Sequence, residues 1–273
     1  MTTATVRHPA VAGRFYPEDP ADLREEVRAY LSQTPERKPI RAVGCIVPHA
    51  GYMYSGHVAG TVFAGLEIPR LCLVLCPNHT GVGHALAIMS EGAWETPLGT
   101  VAIDNSFASA LKQRCPLLHE DSSAHRNEHA VEVELPFLQM RQSQLKFVPI
   151  ALGTHQFEAL EQLGEAIADV IAAQNNPVLI VASSDMNHYE SDAITRVKDH
   201  SAIESILALD AHALYDVVTH QNISMCGLGP AVAMLTAAKK LGATSAELVK
   251  YATSGDVSGD RDLVVGYAGV LVR

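Results

Sequence analysis

Basic clusters are missing from this chain: its 20 lysines and arginines are scattered and are outnumbered by 30 acidic residues, for a net charge of −10. That balance argues against a nucleic-acid binder and against a surface that seeks anionic lipid. No uninterrupted apolar stretch approaches the length of a membrane span. The opening Met1–Gly13 has no apolar run behind basic residues, so no secretory signal is expected. The five cysteines form no C-x-x-C pair. Cys45, Cys72 and Cys76 fall inside apolar runs, where a reduced thiol behaves as a small hydrophobe. The expectation is a reduced, cytoplasmic protein. Neither a P-loop nor a G-x-G-x-x-G turn is present, so nucleotide binding has no motif behind it. Low-complexity linkers and internal repeats are absent too, and residues 1–273 read as one domain.

What the chain does have is histidine, 13 in 273 residues. Three of them follow short apolar runs. Val43–Val47 leads into Pro48-His49-Ala50-Gly51-Tyr52, Leu71–Cys76 into Pro77-Asn78-His79, and Val178–Ala182 into Ser183-Ser184-Asp185-Met186-Asn187-His188-Tyr189. Runs of this length and β-branched/Leu content suit strands buried on both faces, as in a parallel sheet covered by helices. Ligands of such sheets bind beyond the carboxyl ends of the strands. Three imidazoles delivered there from distant segments can build a metal or acid–base centre.

The rest of the chain alternates helices and strands. Asp19-Pro20 starts a helix through Ser32, and Gln33–Pro39 is a polar connector. Ala85–Met89 and Thr100–Ile103 read as a long-looped hairpin around Glu91–Gly99. Helices are expected over Asn105–Arg114, Ala130–Arg141 (with a kink or restart at Pro136), Gln156–Gln174, Asp192–Leu209, Ala211–Gln221 and Gly229–Leu241. Strands are expected over Leu145–Leu152, Glu247–Thr253 and Leu263–Val272. The fold expected is α/β, a single domain with a mixed, mostly parallel central sheet covered by helices on both faces.

Several constellations compete for chemistry. Cys226 lies in Ser224-Met225-Cys226-Gly227-Leu228-Gly229-Pro230, ahead of a helix whose N-terminus would favour thiolate. With two histidines it would complete a His₂Cys set suited to zinc, copper or iron. Asp185, three residues before His188, is a partner for that imidazole or a charge that tunes it. His125-Arg126-Asn127-Glu128-His129 matches the H-x-x-E-H pattern of inverted zinc peptidases, provided both histidines share a helix face. Glu128 and His129 otherwise line the rim of the main site, and Glu132 and Glu134 read as a solvated helix face. Ser183, Asp185 and His188 are too close in sequence for a hydrolytic triad, and no G-x-S-x-G elbow exists. Ser254–Asp262 is a turn.

Pro9-Ala10-Val11-Ala12-Gly13-Arg14-Phe15-Tyr16-Pro17 and Pro48-His49-Ala50-Gly51-Tyr52 resemble the opening of the MEMO family. Pro77-Asn78-His79, Glu128-His129-Ala130-Val131-Glu132 through Phe137, Ser184–Tyr189, Gly255-Asp256 and Val265-Gly266-Tyr267-Ala268 are similar to later segments of it, in order. The resemblance implies protein B of the AmmeMemoRadiSam system, with an AMMECR-like protein and a radical SAM protein as functional partners. It also implies the fold of the LigB-like class III extradiol dioxygenases, in which two histidines and a carboxylate hold Fe(II) and a further histidine is the acid–base group. Carried over by motif, His49 and His79 are metal ligands, Cys226 stands where the carboxylate is expected, and His188 with Asp185 is catalytic. Fe(II) is the expected metal, with Cu or Zn as alternatives that a thiolate favours.

The leading expectation is a non-haem metal-dependent oxidoreductase acting on an aromatic or phenolic small molecule with O₂. Tyr52, Tyr54 and Tyr189 line its pocket in this reading. A non-enzymatic binding or signalling module that keeps the pocket as a peptide or metal site is the second, and a peptidase using His125 and His129 the third.

Overall fold

The computed structural model describes residues 5–33 and 38–273. Residues 34–37 of the expected connector, and the first four residues of the N-terminal segment, lie outside the described residues. The chain begins with β1 (Val6–Arg7), α1 (Pro20–Leu31), β2 (Gly44–Val47), α2 (Tyr52–Ala64), β3 (Leu71–Pro77), β4 (Leu86–Ile88), β5 (Ala93–Thr96) and β6 (Gly99–Ile103). It continues with α3 (Asn105–Arg114), β7 (His119–Glu120), α4 (Leu135–Arg141), β8 (Lys146–Leu152), α5 (Phe157–Ala172), β9 (Val178–Ser183) and β10 (His188–Glu190). It closes with α6 (Asp192–Leu207), α7 (Ala211–His220), α8 (Leu228–Lys240), β11 (Ala246–Thr253), α9 (Gly255–Ser258) and β12 (Val264–Val272).

The middle of the sheet runs β6-β8-β3-β9-β2, parallel at every step. Antiparallel partners extend it: β5 beside β6, and β12 beside β2 and β11. Every residue of β2 and β9 is buried, as are all but the first of β3 and β8. Such burial is what selects the continuous apolar runs. Cys72 and Cys76 are buried core residues, as expected. Helices flank the sheet in two groups. In one, α1, α2 and α4 pack on one another; in the other, α5 and α8 pack together and α8 lies on β2, β3 and β9. The Asp19 carboxylate accepts the N–H groups of Ala21 and Asp22, so α1 starts where its cap and proline require. No helix among the described residues is long and apolar enough to cross a membrane.

Four points differ from expectation. Glu91–Gly99 is not a loop: β5 and β6 form a tight hairpin turning at Pro97-Leu98, with Thr96 opposite Gly99, while β4 pairs with β8 and β7. The restart expected at Pro136 is present, with that proline in the first turn of α4, but the stretch from Ala130 holds only a 3₁₀ turn, Glu132–Glu134, in place of a helix. Glu132 and Glu134 are fully buried rather than solvated. Within Ser254–Asp262 the chain makes one helical turn, α9, ended by Gly259 in the left-handed conformation.

Candidate metal centre

Because β2, β3 and β9 are parallel and adjacent, their carboxyl ends open on one edge. Val47 is in register with Ser183, and Leu75 with Ala182. The loops carrying His49, His79 and Asp185 therefore leave side by side. A fourth segment, Glu128-His129, reaches the same place from the connection before α4. The rings of His49 and His79 are 5.1 Å apart, those of His49 and His129 5.5 Å, and those of His79 and His129 4.8 Å. One ligand nitrogen of each of these three residues lies within 4.8 Å of the others. His49 is buried, whereas the side chains of His79 and His129 are 33% and 21% exposed, so the cluster is reachable from solvent.

His49 and His79 are hydrogen-bonded through Nδ1, and His129 Nδ1 faces the same carboxylate as His79. His49 Nδ1 is 2.8 Å from Ser183 Oγ, His79 Nδ1 is 2.9 Å from Glu128 Oε1, and His129 Nδ1 is 3.4 Å from the same oxygen. Glu128, expected on the rim, is instead fully buried beneath two imidazoles; it also accepts the N–H groups of His79, His129 and Ala130. A carboxylate bonded to Nδ1 leaves Nε2 as the lone-pair nitrogen, the usual arrangement behind a metal-ligating histidine. Burial opposes ionisation of Glu128, but the bond from His79 and the charges of His79 and His129 hold its carboxyl below the usual range. Burial likewise lowers His49, reinforced by His129, His79 and His188, and it lowers His129 despite Glu128. In His79 the bond and charge of Glu128, with help from Asp185, outweigh burial and raise the pKa. Two neutral imidazoles above buried carboxylates are donors a divalent cation can use.

Cys226 stands at the His49 side of the cluster, its Sγ 3.2 Å from His49 Nε2, and it receives the Asp185 N–H at 3.3 Å. Burial and the Asp185 carboxylate push its thiol well above the usual range, outweighing the N–H groups that favour thiolate. The expected help from the start of α8 does not prevail. A cation alongside would reverse that balance. The residues present therefore fit a metal ion: three imidazoles, one of them held through Nδ1 by a buried carboxylate, a thiol, and two buried carboxyls behind them.

Asp185 is not bonded to His188. Its Oδ1 accepts the His49 N–H at 2.9 Å, and burial raises its pKa. His188 is placed by Ser224 instead, with its Nδ1 2.8 Å from the Ser224 carbonyl and its own N–H donating to Ser224 Oγ at 2.7 Å. Since a carbonyl only accepts, Nδ1 carries a proton, and in the neutral ring Nε2 holds the lone pair. Tyr52 does not line the pocket: it is buried against Tyr16 and Phe137, and its hydroxyl donates to the Val133 carbonyl. Tyr54 is half-buried and packs beside Val58, Ala252 and Tyr267. Tyr189, next to His188, is 72% exposed with φ 60°.

The peptidase reading is overturned. His125 lies outside any helix, is fully buried against Trp94, and neither of its ring nitrogens has a partner. His129 was expected on the rim and instead supplies the third imidazole. Sequence reasoning missed Ser183, Ser224 and Glu134 as site supports; only the place of Ser183 at a strand end hinted at one of them.

A sequence profile described as Memo-like protein matches residues 7–271. The chain is 44% identical to a MEMO1 family protein of Methanopyrus kandleri, covering 98% of this chain and 99% of that one. It is 41% identical to a MEMO1 family protein of Methanothermobacter thermautotrophicus, over 96% and 99% of the two chains. A MEMO1 family protein of Methanocaldococcus jannaschii is 40% identical over 98% and 99%. With the profile spanning nearly all of the sequence and relatives matched end to end, this chain belongs to the Memo-like protein family.

Proposed function

We propose that this chain is a non-haem metal-dependent oxidoreductase of the Memo family, with an aromatic or phenolic small molecule and O₂ as substrates. The observation that carries the reading is the group His49, His79 and His129, whose ligand nitrogens lie within 4.8 Å of one another. These three would hold the ion, with Cys226 Sγ the next donor beside His49 Nε2. Iron(II) is the metal proposed; when bound it would supply the open positions for a phenolate oxygen and for O₂. Copper is the alternative that the thiol would favour.

The protein's own share of the chemistry is positioning and proton transfer. Glu128 orients His79 and faces His129, and Ser183 orients His49. His188, with Nδ1 bound to the Ser224 carbonyl, offers Nε2 to take the substrate's hydroxyl proton. Asp185 fixes the His49 main chain and lends negative charge to the same edge.

Iron(II)-loaded protein is expected to consume oxygen with at least one member of a panel of catechols and simpler phenols. His188→Gln should keep its metal and lose turnover by about 10²–10⁴-fold. A second reading, a binding module that keeps the pocket, draws on Tyr189, an exposed aromatic held in a left-handed conformation beside His188. Metal-loaded protein that consumes no oxygen across the panel, yet binds a peptide through Tyr189, would favour that second reading.

A further inference from the structure

Ser183 Oγ has three polar neighbours: His49 Nδ1 at 2.8 Å, the Ala130 carbonyl oxygen at 2.9 Å and Glu134 Oε1 at 3.0 Å. All four residues are buried. A hydroxyl has one proton to donate and two lone pairs that accept. The carbonyl can only accept, so the Ser183 proton goes to Ala130. The other two neighbours must then donate into the lone pairs of Oγ. His49 can do so through Nδ1–H, and Glu134 only if its carboxyl carries a proton.

An ionised Glu134 fails on two counts. Ser183 has one proton for two acceptors, so one close O···O contact would lack a hydrogen. The charge would also be buried with Oε2 unpartnered, which costs several kcal/mol when no cation compensates it. The titratable groups whose charges reach this carboxyl are Asp185, Tyr52 and Cys45, none of them cationic. A neutral acid leaves only a carbonyl-type oxygen unpaired, the milder defect.

We propose that Glu134 is a neutral carboxylic acid whose O–H, donated to Ser183, locks His49 as the Nδ1–H tautomer and aims the Nε2 lone pair at the histidine cluster. Glu134 is thus a positioning residue, acting through Ser183. Burial drives its carboxyl well above the usual range, in the same sense. A carboxylic acid kept neutral by its surroundings so that it can donate a hydrogen bond is an established device. The consequence for metal binding rests on the metal-centre reading above; the proton assignment does not.

Metal-free protein at neutral pH tests the assignment directly. Infrared difference spectra between wild type and Glu134→Gln should contain the C=O stretch of a protonated carboxylic acid, and ¹⁵N NMR should place the His49 proton on Nδ1. Titration with zinc then tests the consequence. Ser183→Ala should lose about 10–100-fold in affinity. Glu134→Leu, with no donor, should follow it, whereas Glu134→Gln, whose amide still donates to Ser183, should stay near wild type. Carboxylate bands alone in the difference spectrum, or a His49 proton on Nε2, would overturn the proposal whatever the variants do. The expected spectra together with a wild type that binds no zinc would uphold the proton assignment and sink the metal reading instead.

Discussion

Glu132 is a fully buried carboxylate that is richly partnered. It accepts the N–H groups of Ala10 and Val11 at 2.8 and 3.0 Å and the Tyr16 hydroxyl at 2.6 Å, and it pairs with the Arg7 guanidinium. Arg7 in turn donates to the carbonyls of His125 and Glu128 and lies 4.3 Å from the centre of the Trp94 ring. One carboxylate thus ties the N-terminal segment to the chain that delivers His129. Removing one partner of a buried ion pair strands the other charge, so Glu132→Ala should cost about 3–5 kcal/mol of stability, read from urea unfolding. A loss under about 1 kcal/mol would mean that water reaches Arg7 in its place. None of this was legible locally. Glu132-Val133-Glu134 reads as polar surface because the partners that make burial tolerable are distant: Arg7 lies 125 positions away and Ser183 lies 49 from Glu134. His49 and His79 were legible because their position after apolar runs is a local signal.

The elements that place the site were the readable part. An unbroken run such as Leu71–Cys76 has one good solution, a strand covered on both faces, and the carboxyl ends of such strands are where loops converge. The β5–β6 hairpin was missed because its turn, Pro97-Leu98, lacks the Asn-Gly or Asp-Gly pair that announces a two-residue loop. The junction of β9 with α8 is tight. A Cβ on Gly227 would come within 2.2 Å of Ser184 Cβ and 2.5 Å of the Ser183 carbonyl oxygen. Gly227→Ala should therefore push the start of α8 from the strand end and displace Cys226. The expected cost is about 1–3 kcal/mol, with faster modification of Cys226 by a thiol reagent. An unchanged rate would show that α8 can yield without moving the thiol.

Across the whole molecule, buried groups set opposing pH dependences, and His125 and Asp199 carry the two signs. Burial lowers His125 from 6.5 to about 4, so between those values the unfolded chain holds a proton that the folded one lacks, and stability falls as pH falls. Burial raises Asp199 from 3.8 to about 6, despite bonds from the Tyr251 hydroxyl and the Asn187 N–H, so in nearly the same window the folded chain holds the extra proton and stability rises as pH falls. Each is worth roughly 3 kcal/mol over its range, and in the wild type they largely offset. Asp199→Asn should make stability fall more steeply than wild type between pH 6.5 and 4, and His125→Leu less steeply, in urea unfolding at stepped pH. Parallel profiles for all three proteins would remove both assignments. The chemistry proposed at the edge where four segments meet depends on a metal ion held there by His49 and His79. Elemental analysis of anaerobically purified protein tests it most directly: about one transition-metal ion per chain in the wild type and loss of that ion in both His49→Ala and His79→Ala are predicted, whereas full retention in the two variants would contradict the account.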